Sequence, residues 1–251
     1  VTFPIGTPVD IQGKTFSSAN NGLFIVTGSG TNYFEVRNSS GVVESDKILG
    51  GSTNGTPYGY INKGAIYTKP ANLKYITVEI QAGGGAGNSS GLGGGGGAYA
   101  KKIYSSSDIS YYEPYVVGKG GALLTKAGRS VFKSMIALGG TTAHTDSTES
   151  NNAHDYTTGG TATGGDINVT GGSGGKILQS DYNWSGNNGG SSFLGGGGMG
   201  ADGTDHGTNA TSGTYGGGGG GGAKRTSYST SNPANQSVGA DGIIIITEYY
   251  Y

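Results

Sequence analysis

Trp184 and Tyr182 stand two residues apart, flanked by Asp181, Asn183, Asn187 and Asn188. Together they offer a flat apolar face with neutral hydrogen-bonding groups beside it. That is the composition of a recognition loop, because Tyr and Trp supply large contact area at low entropy cost. The competing role for Trp184 is a plug folded back over a scaffold. Tyr156, Tyr228 and the three histidines, His144, His154 and His206, lie in similar polar stretches: 141–158, 176–188, 202–214 and 224–237. These stretches lack hydrophobic periodicity and read as loops, where binding residues concentrate. Tyr156, His154, Tyr182, Trp184, His206 and Tyr228 are therefore the candidate contact residues. With Asp146, Asp155 and Asp205 the histidines have the donor types of a metal cluster. Their spacing fits neither a helical nor a ribbon site, and no metal or other cofactor is expected.

Catalytic patterns are weaker. Gly13-Lys14-Thr15 ends like a phosphate-binding loop, but Pro8 occupies the place of its first glycine. Gly91–Gly96 fits the dinucleotide fingerprint only because nearly every residue there is glycine; no helix follows and no acidic residue sits at the required distance. Gly197–Asp202 begins like a calcium-binding nonapeptide, but its apolar position falls on Thr204 and there is one copy, where that architecture needs a stack. Glu149 and Asp155 have the residue types of a glycosidase pair, though carboxylates in loops are usually just solvated. No nucleophile, base and orienter can be assigned together. An enzyme is not expected.

The loops must be held by something rigid, and the sequence supplies an unusual scaffold. Glycine makes up 55 of the 251 residues, in runs at 83–85, 93–97, 171–175 (broken by Ser173), 195–198 and 216–222. Each glycine ordered in regular structure costs roughly 0.5–1 kcal/mol relative to Ala. Flexible linkers are one reading of such runs. The runs recur at short intervals, however, and the chain is only 12% charged and 10% aromatic, unlike a disordered segment. Packed backbone is the better expectation: left-handed polyglycine II helices with three residues per turn, rising ~3.1 Å per residue, so that seven glycines span ~22 Å. Without Cβ, such rods can approach closely enough to hydrogen-bond one another.

Strands accompany the rods. Ile76, Val78 and Ile80 alternate with polar residues along Tyr75–Gln81, as a half-buried strand requires. Phe24–Thr27 and Tyr33–Arg37 read as two strands joined by a glycine turn. Ala98–Tyr104 and Tyr111–Val117 resemble a hairpin around a Ser-rich turn. Ser130–Leu138 is a further apolar segment, and 161–170 a weaker one with Ile167 and Val169 on one face. Ile243–Ile246 is apolar throughout and β-branched, which predicts a central position in a sheet. No stretch keeps helical spacing. The expected fold is all-β: a sandwich of packed glycine rods and short strands. A boundary near Pro70 separates a small β module or fibre-segment end (1–70) from the glycine-rich domain (71–251).

Composition limits the partners. A net charge of −1 and a pI near 6.3 imply no basic field for nucleic acid, and no apolar run is long enough for membrane insertion. Cysteine is absent, so the redox compartment is unreadable. The first residue is Val1, and a fragment or processed product is expected.

Six landmarks carry a resemblance: Tyr75–Gly87, Gly93–Lys101, Gly164–Gly175, Gly189–Gly198, Thr214–Ala223 and Gly239–Tyr250. In that order, over 72–251, they resemble the glycine-rich C-terminal domain of bacteriophage tail fibres and tip adhesins. The resemblance implies a virion protein at the distal end of a tail fibre, commonly a homotrimer. Its loops would bind a bacterial surface saccharide or outer-membrane protein. It lies in the scaffold and carries over no contact residue. The Trp-rich N-terminal attachment segment of separate tip adhesins is missing, so a C-terminal piece of the fibre polypeptide is the closer match. The alternatives are a structural fibre end without selective binding, a polysaccharide-degrading tail protein and an ice-binding polyglycine bundle. The last lacks a flat Thr or Ala array.

Overall fold

The computed structural model describes residues 3–13, 16–31, 33–43, 52–53, 56–57, 59–88, 91–122, 126–142, 157–175, 183–184, 186–201, 210–219, 224–225 and 237–251. Within 51–62, 183–184 and 224–225 only the backbone is described. The described elements are strands and two short 3-10 turns, Ser18–Asn20 and Ser106–Asp108. The protein is all-β.

Three sheets organise it. The first runs Phe34–Val36, Gly22–Ser29, Pro8–Gly13, Gly59–Lys63. The second runs Ala162–Thr163, Met135–Ala137, Ser130–Phe132, Tyr112–Val116, Ala65–Thr68. The third runs Ile167–Val169, Tyr99–Ser105, Leu73–Gln81, Ile243–Tyr250. All pairings are antiparallel. The core lies between the second and third sheets. Ile76, Val78, Ile80, Ala100 and Tyr104 face Phe132, Met135 and Ala137, all buried, with Ile244 and Ile246 against the same cluster. The first sheet attaches through Asp10, which is fully buried and bonded to Arg129 by Nε and Nη2.

Two expectations need correction. Ala98–Tyr104 and Tyr111–Val117 do not form a hairpin. Tyr99–Ser105 pairs with Leu73–Gln81, and Tyr112–Val116 with Ala65–Thr68, in different sheets. The 3-10 turn at Ser106–Asp108 diverts the chain, with the Asp108 carboxylate accepting from the Ser105 amide and hydroxyl. The Ile243–Ile246 run is not central; it begins the edge strand of the third sheet. Ser130–Leu138 holds two strands, reversed at Lys133, whose φ is 50°. Pro8–Gly13 and Gly59–Lys63 are strands that alternation did not reveal.

Above the third sheet the glycine runs pack as irregular backbone. Ala82–Asn88 and Gly91–Ala100 are buried throughout. A chain that turns once every three residues sends its N–H groups in three directions, and the bonds repeat at that interval. Gly93 donates to Gly175 and Gly96 to Gly172; Gly94 to Gly219 and Gly97 to Gly216; Gly95 to Thr141 and Ala98 to Leu138. The segment Ala82–Asn88 follows the same rule, with Gly84 on Ala240 and Gly87 on Ser237. At most of these glycines a side chain has no room. A Cβ at Gly94 would sit 2.0 Å from the Gly85 carbonyl oxygen, and one at Gly218 2.0 Å from that of Gly94.

Candidate functional site

The glycine segments run alternately away from the sheets and back. Ala82 donates to Ala98 beside the third sheet; six residues on, Asn88 donates to Leu92 at the far end. Reversals at the sheet end are short turns, such as Ser192 to Gly195 and Gly217 to Thr214. The polar stretches leave from the other end, 202–214 from Ala201 only, since Thr214 has returned to the sheet end. Their flanks are joined there: Gly87 donates to Ser237, Asn187 to Gly91, Gly175 to Asn188, Gly186 to Ala201 and Thr141 to Thr158.

Side chains take over at this end, where a segment's last backbone groups have no further rod to meet. The Thr157 hydroxyl donates to the Gly93 carbonyl at 2.6 Å and accepts from the Gly174 amide at 3.1 Å. The Asn88 amide oxygen accepts from Leu92 N–H at 2.9 Å, and that of Asn188 from Gly200 N–H, also at 2.9 Å. Thr141 Oγ accepts from Thr158 N–H at 2.7 Å, and Ser237 Oγ donates to the Thr211 carbonyl. Buried polar groups must be paired, and Asn, Thr and Ser do this without adding charge. Among the described residues these bonds make a neutral, hydrogen-bonded platform beside the flanks of the polar stretches.

The glycine-rich domain family matches residues 61–249, most of the chain. The chain belongs to this family. No curated protein matches it. The family match covers the glycine-rich domain described above, including the flanks of all four polar stretches.

Tyr156, His154, Tyr182, His206 and Tyr228 lie outside the described residues, as does His144. Trp184 is described in its backbone alone. Asn183–Trp184 pairs antiparallel with Lys224–Arg225, Trp184 opposite Lys224 and Asn183 opposite Arg225. Two of the four stretches, 176–188 and 224–237, therefore meet in one ribbon. The basic dipeptide Lys224–Arg225 went unnoticed in the sequence because it adjoins the glycine run 216–222.

Acid–base groups lie elsewhere in the glycine-rich domain. Glu79 accepts from Tyr99 Oη at 2.7 Å and from Lys101 Nζ at 3.2 Å. The Tyr99 bond draws the carboxyl below its usual range, against burial and with help from Lys101. Glu113, bonded to Lys133 and Ser110, is also lowered; burial is the largest influence on it, but these partners outweigh it. These pairs are fully engaged within the sheets. Among the described residues no group of three or more His, Cys, Asp or Glu is placed to hold a metal. An open cleft of about 540 Å³ lies near Leu73 at the opposite end of the molecule. Its lysine, Lys69, is spent on the Ser106 and Ile109 carbonyls, and Tyr111 is the other titratable side chain in its lining.

Proposed function

We propose that this glycine-rich domain is the distal tip of a bacteriophage tail fibre and binds a bacterial surface saccharide or outer-membrane protein non-covalently. One observation supports the reading above the others: the flanks of 141–158, 176–188 and 224–237, with the N-terminal flank of 202–214, lie together at the end of the bundle away from the sheets. A platform of hydrogen-bonded backbone holds its shape while the loops it carries vary. Loops on a rigid scaffold are the common arrangement for recognition. The landmark resemblance supplies the virion setting. The chemistry needs no catalytic group: aromatic anchors such as Trp184 and Tyr182 act by burial and stacking. Hot-spot truncations of this kind typically cost about 2 kcal/mol or more of binding.

The test is adsorption of the labelled chain to a panel of bacterial strains, intact and stripped of surface polysaccharide. Exchange of 143–156, 176–185, 202–209 and 226–236 together, which spares Thr141, Thr157, Asn188, Thr211 and Ser237, should abolish adsorption and leave thermal unfolding unchanged. Trp184→Ala and Tyr182→Ala should each lower binding at least about tenfold, the equivalent of 1.4 kcal/mol. Unchanged adsorption after all four exchanges would leave a structural fibre end as the better account. Reducing sugar released from the polysaccharide would favour a degrading tail protein.

A further inference from the structure

The third sheet has one face in the core and one face outward. On the outward face the register aligns Ile167, Lys101, Glu79 and Ile245 in one row, and Ile103, Thr77 and Thr247 in the next. Tyr75 stacks on Tyr249 beyond them, with ring centroids 4.3 Å apart. Phe193 stacks on Tyr99 at the glycine end, at 4.2 Å. Ile103, Ile167 and Phe193 are each more than half exposed, and Ile245 and Tyr249 are also exposed. Among the described residues the one ion pair on this face is Glu79 with Lys101, which neutralises itself. The face therefore mixes exposed apolar side chains with neutral polar ones and carries no net charge to repel a copy of itself.

Beside it runs the edge strand Ile243–Tyr250. It pairs with Leu73–Gln81 on one side, and among the described residues no strand pairs with the other. Exposed edges are normally guarded by Lys, Pro, a bulge or a short length. This edge is eight residues long, IIIITEYY, without Lys or Pro. Its one register shift comes at Tyr249/Tyr250, at the very end.

We propose that this edge is an interface with a second copy of the chain, the two Ile243–Tyr250 strands pairing antiparallel about a two-fold axis. Side-chain direction alternates along a strand, so the pairing must keep outward residues opposite outward residues. The register centred on Ile246 is one of two that do so over seven residues, and unlike the one centred on Thr247 it keeps the two Glu248 side chains well apart. It sets Ile245 opposite the partner's Thr247 and Ile243 opposite the partner's Tyr249 on the outward face. On the inward face Ile246 meets its own copy. Glu248 is the only charge in the strand; it faces Ile244 of the other copy and is already held by Tyr67 and Tyr250 hydroxyls. No like charges oppose each other, which is the condition a self-complementary edge must meet. The two outward faces become one continuous surface without net charge. This two-fold arrangement takes the place of the three-fold one implied by resemblance to fibres.

Light scattering on the whole chain, with Ile245→Lys and Ile5→Lys alongside, tests it. Ile245 is exposed, so lysine there leaves the fold intact by circular dichroism. Ile5 is exposed on the first sheet's side and serves as the control. The expected result is twice the 25.0 kDa of one chain for the parent and for Ile5→Lys, and one chain for Ile245→Lys. Amide exchange gives a second readout on the parent alone: every amide from Ile243 to Tyr249 should be protected, including those pointing away from Leu73–Gln81. A parent mass of one chain or three overturns the proposal. So does a two-chain mass that survives Ile245→Lys.

Discussion

Gly218 and Gly196 differ by what surrounds their missing Cβ. At Gly218 it would lie 2.0 Å from the Gly94 carbonyl oxygen, whereas at Gly196 nothing lies within 4 Å. Both belong to the glycine bundle, so composition alone treats them alike. Gly218→Ala must push one backbone segment off another and break bonds such as Gly94 to Gly219. Overpacking of this sort costs about 1–3 kcal/mol or more. Gly196→Ala meets open space at an ordinary φ and reduces the freedom of the unfolded chain, which is worth about 0.4–1 kcal/mol of stability. Thermal unfolding should therefore fall by several degrees for Gly218→Ala and hold or rise for Gly196→Ala. Equal effects would mean that the segments are not in close backbone contact. Gly219→Val belongs with the first, its Cβ being 2.4 Å from the Ser237 carbonyl oxygen.

Among the elements, the strands were legible where the alternation was local. Ile76, Val78 and Ile80 announce Leu73–Gln81 because one face is buried and the other polar. Ile243–Ile246 has no period to read, and whether a strand is central or at an edge depends on which distant segment lies beside it. The hairpin reading failed likewise: Tyr99–Ser105 and Tyr112–Val116 each find a partner that competes with the nearest neighbour in sequence. Glu79 and Glu113 could not be recognised as paired carboxylates, since Lys101 and Lys133 reach them only through sheet register and a positive-φ turn. Both carboxyls are lowered in the fold. A lowered carboxyl contributes stability that is complete above its unfolded value, about 4.3 for Glu, and is lost as pH falls below it. Tyr67 and Tyr99 are shifted the other way, burial and a carboxylate partner raising both. Their contribution is complete below about pH 10 and is lost above it. Chemical denaturation across pH should give a plateau bounded by these two limits. Glu113→Gln should flatten the acid side.

At the scale of the whole molecule, the gathering of the loop flanks follows from an arithmetic the sequence hides. Each glycine run could be a rod, but direction depends on the three-residue bonding register, which pairs Gly93 with Gly175 and Gly94 with Gly219 across most of the domain. The loops were visible as polar stretches; their common end was not. The attachment of the first sheet is equally non-local. Arg129 Nε lies 2.9 Å from Asp10 Oδ2 and 3.1 Å from Oδ1, and Gln12 adds a bond to Oδ1 at 3.1 Å. The Asp10 side chain is fully buried and that of Arg129 nearly so. Arg129→Met strands a carboxylate out of water and should destabilise by about 3–5 kcal/mol. Pairing it with Asp10→Leu removes the orphan charge, and the double variant should be more stable than Arg129→Met alone. Such an inversion separates a buried ion pair from two independent packing losses, which would add. Urea unfolding of the parent, both single variants and the double variant measures it. If the double variant is less stable than either single, Asp10 and Arg129 act independently, and the first sheet is held to the glycine-rich domain by other contacts.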